Sequence, residues 1–145
     1  MDVKWKYIKE LIHKEKIGVL CVHETKLVSL NVSKCFNIWG SNDISWVHRG
    51  IDREGVRIVT MWDNKIFNCD MSEEGNGFVL VVRDYKYGVF GQDVKVLIMN
   101  IYAPCSNKEK MIICREVEDK LASANCLIQC VIGDFNIKPF EKSGA

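Results

Sequence analysis

The chain has 145 residues, 48% of them apolar and 27% charged, with a formal net charge of +1. Those totals describe one globular domain built on a single core, and they exclude the global basic field that draws a whole protein onto a phosphate polymer. Any nucleic-acid contact is therefore expected to be local.

The seven cysteines (Cys21, Cys35, Cys69, Cys105, Cys114, Cys126 and Cys130) contain no CxxC pair, and the three histidines do not join them at metal-ligand spacing. Zinc is not expected from such a pattern. Most of these cysteines sit in or beside apolar segments such as VLCV and LIQCVIG, where a reduced thiol packs as a small hydrophobe. The first residues, MDVKWKYIKE, are charged throughout, and no apolar run approaches the ~20 residues of a membrane span. The expectation is a protein of a reducing, intracellular compartment, nuclear or cytoplasmic, with neither signal peptide nor transmembrane segment.

In chain order, Trp5, Ile8 and Ile12 fall at helical spacing with Leu11 beside them, predicting an amphipathic helix over 4–16 that ends before Gly18. Its other face carries Lys4, Lys6, Lys9, His13, Lys14 and Lys16, read as a solvated face over a buried stripe. IGVLCVHE follows as a buried strand whose polar end is Glu24. The pattern weakens from Lys26 to Ser45, with one strand expected at CFNIWGS and a turn at the Asn-Asp pair.

VRIVTMW, KIFNCDM across an Asp-Asn turn, and GFVLVVRDY after the EEGNG loop then read as an antiparallel meander. VKVLIMNIYAP is a long strand stopped by Pro104, and Ser106 with Glu109 forms a capping box opening a helix from Glu109 to Ala124. CLIQCVIGDFN is the last buried strand.

Three strand ends finish an apolar run with groups suited to phosphate or metal chemistry. Residues i and i+2 of a strand share a face, so Asp134 projects with Asn136, and Asn100 with Tyr102, while Glu24 closes the first strand. Magnesium takes hard oxygen ligands, commonly one or two carboxylates with waters and substrate phosphate oxygens, a role open to Glu24. Asp134 could orient or deprotonate an attacking water. Asn136 and Asn100 offer amide donors, and the Tyr102 phenol can donate to charge developing in a transition state. Singly, each has a plainer reading: a carboxylate after a strand is most often a turn former, and a tyrosine before Ala-Pro most often packs.

The order VLCVHETK, NIYAP, VIGDFN resembles the QETK, N-x-YAP and GDFN blocks of the endonuclease/exonuclease/phosphatase superfamily. NIYAPCSNKEK and VIGDFNIKPFEKSG are similar to the endonuclease domains of plant LINE-type retrotransposons. The resemblance implies an α/β fold, a partial four-layer sandwich of the deoxyribonuclease kind. One layer of mostly antiparallel sheet is expected, with helices 4–16 and 109–124 on its outer face. It also implies magnesium-dependent hydrolysis of a DNA phosphodiester, with Glu24 as metal ligand, Tyr102 as phosphate-contacting phenol, Asp134 acting on the water, Asn136 stabilising the transition state and Asn100 structural.

There are departures. His23 stands where the superfamily usually has glutamine, and strand alternation points it away from Glu24. Asp52-Arg53-Glu54-Gly55 stands where plant members tend to show paired glycines. Residues 1–145 correspond to the superfamily's N-terminal half without its first strand and without the later Ser-Asp-His motif. This raises the rival expectation of a catalytically inactive remnant or a non-cleaving binding module, with self-association through an exposed inner sheet face. A phosphatase acting on a small substrate is a third reading, disfavoured by the LINE-like details.

Overall fold

The computed structural model describes residues 2–49, 55–75, 78–85, 94–103, 106–126 and 128–134. They form α1 (Val3–Lys14), β1 (Val19–Leu27), α2 (Val32–Trp39), β2 (Ile44–Arg49), β3 (Val56–Asp63), β4 (Phe67–Gly75), β5 (Phe78–Tyr85), β6 (Val94–Tyr102), α3 (Asn107–Ser123) and β7 (Ile128–Asp134). Asn136, Cys105 and the Asp52 to Glu54 stretch lie outside the described residues.

The strands make two sheets, where a single layer was expected. One has the order β1-β3-β2, the other β4-β5-β6-β7. Every pairing is antiparallel except β6 with β7, which is parallel. The parallel pair is joined through α3, as a crossover requires.

Alternation along each strand assigns three apolar layers. On one side α1 and α2 cover the first sheet, burying Trp5, Ile12, Cys35, Ile38 and Trp39 against Val22, Ile44, Val59 and Met61. On the far side α3 covers the second sheet, Ile113 packing with Leu97, Met99, Ile101 and Ala103. Between the sheets lie the intervening residues of the same strands: Ile58 and Trp62 of β3 against Val96 and Ile98 of β6, flanked by Val19, Cys21 and Val47. Each such side chain, fully buried, contributes about 1.5–3 kcal/mol. The result is helix, sheet, sheet, helix, the four-layer order of a deoxyribonuclease-like sandwich, with the two predicted helices on opposite faces.

CFNIWGS is helix α2, where a strand was expected. Asn31 caps it by accepting from Lys34 N at 2.8 Å, and Gly40 ends it in the left-handed region. Cys35, Ile38 and Trp39, at i, i+3 and i+4, form its buried stripe. The strand β2 had no counterpart in the sequence reading. Of the expected capping box, the Ser106 half is present, Ser106 accepting from Glu109 N at 3.5 Å, and the helix opens at Asn107. Among the described residues no helix is long and apolar enough to cross a membrane.

Exposure of the inner sheet faces is also corrected. The inward residues of VLCV and VLIMNI cover one another between the sheets. Large exposed apolar side chains persist on β7, at the end of its sheet, where Ile128, Val131 and Ile132 are 45%, 42% and 45% exposed.

Cys21, Cys35, Cys114, Cys126 and Cys130 are free thiols. Burial pushes the Cys35 thiol up to about 12 and the Cys21 thiol up to about 11, from an ordinary 9.0. The unfolded chain therefore ionises these thiols before the folded one does. Their contribution to stability is full below pH 9.0 and is lost as pH rises through about 11 to 12. At neutral pH exposed Cys114 is expected to alkylate first, Cys21 and Cys35 only on unfolding. In denaturant without reductant all seven cysteines should react, and five or fewer in protein shielded from air would reveal a native disulfide.

Candidate functional site

The site starts from a break in β1. Regular pairing with β3 runs to His23↔Ile58 and resumes at Leu27↔Val56, so four steps on β1 oppose two on β3. Glu24 and Lys26 take up the excess with φ of +48° and +61°. Positive φ at a residue with a Cβ costs about 1–3 kcal/mol and persists where the surroundings impose it.

Here they do. Thr25, only 1% exposed, donates through Oγ1 to the Val56 carbonyl and accepts from Leu27 N at 3.1 Å. Lys4 Nζ donates to the Glu24 carbonyl at 3.3 Å. Gly55 lies so close that a Cβ there would come within 2.2 Å of the Leu27 oxygen.

The bulge changes where Glu24 points. Leu20 and Val22 face the helices and Cys21 faces the second sheet, so alternation would send Glu24 toward the helices and His23 away from it. Instead, adjacent residues both reach β6: Tyr102 Oη donates to Glu24 Oε1 at 2.7 Å, and His23 Nε2 is hydrogen-bonded to Asn100 Oδ1. The His23 and Tyr102 rings lie 6.4 Å apart, tilted by 42°.

Asn100 is wholly buried between the sheets. Its Nδ2 donates to the Val59 carbonyl and to Thr60 Oγ1, both at 3.1 Å. Thr60 Oγ1 is in turn 4.0 Å from Cys21 Sγ. One amide thus ties β6 to β3 and to β1.

Asp134 enters from β7. It is the register partner of Tyr102, as Ile132 is of Asn100 and Cys130 of Ile98, so parallel pairing puts it on the face that bears Tyr102. Ala103 N donates to the Asp134 carbonyl at 2.8 Å. The approach depends on Gly133, where a Cβ would meet the Ile101 oxygen at 2.7 Å. Tyr102 is therefore flanked by Glu24, through a hydrogen bond, and by Asp134, through register. Glu24 and Asp134 are both exposed at the rim while Asn100 is sealed below it. Asn136 lies outside the described residues.

Beside the bulge is a shallow groove of about 270 Å³ lined by Asp2, Thr25, Lys26, Lys34 and Asn37 among others. Lys34 is steadied there by the Ser29 carbonyl and Oγ at 3.2 and 3.3 Å. With Lys4 these lysines put local positive charge next to Glu24, within a chain of near-zero net charge. Sequence reasoning had Thr25 and Lys26 only as members of the VLCVHETK block and did not mention Lys34.

The donor set can be tested against magnesium. No group of three or more His, Cys, Asp or Glu side chains is gathered among the described residues, so they do not build a closed cage of nitrogen and sulfur ligands. One exposed carboxylate with its second oxygen outside the Tyr102 bond, and another on the register partner of Tyr102, suit a hard cation that keeps waters and takes phosphate oxygens.

No protein-family model and no curated relative matches the sequence. Solved structures do match its fold. A humanized D. rerio TDP2 aligns with a TM-score of 0.67 and 14% identity over 94% of this chain and 56% of that one. The catalytic domain of human Nocturnin, with bound sulfate anion, aligns at 0.65 and 12% identity over 94% of this chain and 58% of its own. An endonuclease/exonuclease/phosphatase family protein from Bacteroides thetaiotaomicron aligns at 0.65 and 11% identity, covering 95% and 56%. A further D. rerio TDP2 structure, complexed with single strand DNA product, aligns at 0.63 and 14% identity, covering 94% and 54%. The fold is thus one found in endonuclease/exonuclease/phosphatase structures, and this chain spans about half the length of those it matches.

Replacing Asn100 by Ala leaves the Val59 carbonyl, Thr60 Oγ1 and His23 Nε2 without their shared partner. The expected loss is about 2–4 kcal/mol in urea unfolding. A loss below about 1 kcal/mol, no more than one ordinary hydrogen bond, would mean that the amide is not the tie between the sheets.

Proposed function

We propose that residues 1–145 act as part of an endonuclease/exonuclease/phosphatase domain that hydrolyses DNA phosphodiesters with Mg²⁺, in the manner of LINE-type endonucleases. The observation that carries this reading is Tyr102 set between Glu24 and Asp134 at the open end of the sandwich. The motif order in the sequence and the fold match to structures of that family support it, as does the single strand DNA product held by one D. rerio TDP2 structure.

In this reading Glu24 would hold the metal, its Oε2 being outside the Tyr102 bond, and Asp134 would orient the attacking water and accept its proton. Mg²⁺, when bound, supplies charge neutralisation at the phosphoryl oxygens. Tyr102 has a single hydroxyl proton, directed at Glu24 Oε1. Contact with a phosphate oxygen therefore requires that bond to be exchanged, so the phenol donates either to its own metal ligand or to substrate. Asn136 serves as a further donor to the developing charge. Lys4, Lys26 and Lys34 offer the local positive field for strand phosphates on either side of the scissile one.

The isolated chain is expected to be a slow nuclease. His23 has its Nε2 engaged by Asn100, and His13 lies against Gly40 at the far end of α1, so neither is poised to protonate a leaving oxygen. Lacking such an acid costs about 10²–10⁴ in rate.

The test is plasmid nicking with Mg²⁺ by residues 1–145, against a Glu24→Gln, Asp134→Asn double variant, with Mg²⁺ affinity and solution mass recorded. Slow nicking abolished in the double variant, with Mg²⁺ affinity lost, is the expected result. Nicking that survives the double variant, or Mg²⁺ affinity indifferent to it, overturns the reading. Mg²⁺-dependent DNA binding without cleavage would favour the non-cleaving module, and robust nicking by a monomer would show that these residues suffice.

A further inference from the structure

Two side chains beside the proposed reaction, His23 and Asn100, have no part in it as described. Beyond Val96 and Ile98, the residues of β6 facing the first sheet are Asn100 and Tyr102, two positions apart as alternation dictates. On β1 their partners are His23 and Glu24, adjacent in sequence. Adjacent residues of a regular strand face opposite ways, so this match exists only because Glu24 has left the strand conformation at φ +48°. Something must hold the bulge against β6. Thr25, following Glu24, is anchored on Val56 within its own sheet. His23, preceding Glu24, is anchored on Asn100 of the facing sheet. Glu24 is suspended between the two.

The bond has a determined polarity. Asn100 Nδ2 points at the Val59 carbonyl, which can only accept, so the amide cannot be turned over and Oδ1 must face His23. His23 must then donate through Nε2–H. We infer that His23 and Asn100 are a positioning pair: the imidazole Nε2–H clamped on the buried amide fixes the bulge and thereby holds the Glu24 carboxylate at the Tyr102 phenol. His23 touches neither metal nor substrate and acts through Glu24. The inference rests on the proposed function only in treating Glu24 as the metal ligand; the clamp itself rests on the hydrogen bonds.

Glutamine carries its amide Nε2–H at a reach comparable to the imidazole Nε2, whereas leucine fills a similar volume with no donor. The pair therefore predicts that His23→Leu misaims Glu24 and that His23→Gln restores it. The experiment labels glutamate carboxylates and tyrosine rings with ¹³C and compares wild type, His23→Leu, His23→Gln and Tyr102→Phe, the last marking the position of the Glu24 resonance when its hydrogen bond is gone. His23→Leu should move the Glu24 resonance toward the Tyr102→Phe position and weaken Mg²⁺ affinity about 10- to 100-fold. His23→Gln should leave the resonance in place and restore affinity, with the amide spectrum of β3 intact in all.

A Glu24 resonance unmoved in His23→Leu overturns the inference. So does loss in His23→Leu that His23→Gln fails to restore, which marks general destabilisation. If wild type binds no Mg²⁺, the proposed function falls and the carbon resonances alone decide the clamp. If His23→Leu does not fold, ¹⁵N imidazole spectra of the wild type decide it: Nε2 carrying a proton protected from solvent supports the clamp, and Nε2 without a proton overturns it.

Discussion

A buried amide has to be satisfied, and in this molecule that requirement falls on Asn100. The two sheets meet through Ile58, Trp62, Val96 and Ile98, a contact whose attraction is proportional to area and indifferent to direction. Sheets held that way alone could slide past one another by part of a residue at little cost. An amide with zero exposure and two donated hydrogen bonds to β3 removes that freedom, because any slide breaks the bonds and leaves polar atoms dry. The rim inherits the registration. Tyr102 is two residues beyond Asn100, and Glu24 directly follows the histidine that meets its oxygen, so the separation of phenol and carboxylate is set by a contact beneath them.

What could be read from the sequence followed from local periodicity. β6 and β7 were legible because VKVLIMNIY and LIQCVIGD are mostly apolar with single polar interruptions, and the i, i+2 rule then put Asp134 in line with Cys130 and Ile132, although β7, read as buried, is largely exposed. α1 and α3 were legible from their stripe and capping box. The misread elements were short or carried competing signals. CFNIW contains aromatic and β-branched residues that favour a strand, yet its cap at Asn31 and stop at Gly40 bound only eight helical residues, and tertiary burial of Cys35, Ile38 and Trp39 outweighs propensity. β2 is shorter still.

Two features had no local signature. That the strands divide between facing sheets is a fact about partners distant in the chain, since a strand apolar on both faces reads the same beneath a helix or beneath another sheet. The bulge at Glu24 was the other. VHETKL has neither glycine nor proline to announce positive φ, and its cause lies in Thr25, Val56 and Gly55, some thirty residues apart along the chain. Alternation was the right rule for every inward residue of β1 up to His23 and failed at the residue where the candidate chemistry begins, where strain tends to collect.

The two carboxylates flanking Tyr102 are held in different ways, and the difference matches the tasks proposed for them. Glu24 sits on a strand paired with β3, strained in backbone, and anchored by the residues on both sides and by Lys4 on its carbonyl. Asp134 ends β7, an end strand of its sheet as β1 is of the other, and its carbonyl accepts from Ala103 N. A cation ligand must keep its oxygen fixed, because magnesium tolerates little departure from octahedral geometry. A group that orients water and takes a proton works through a hydrogen bond whose length changes as the reaction proceeds, and it tolerates more play. Glu24 is thus braced through His23, Thr25 and its own carbonyl, while Asp134 lies beside the exposed Ile128, Val131 and Ile132 of β7. The Glu24–Tyr102 pair is held from within, because the residue before Glu24 and the residue two before Tyr102 are bonded to one another.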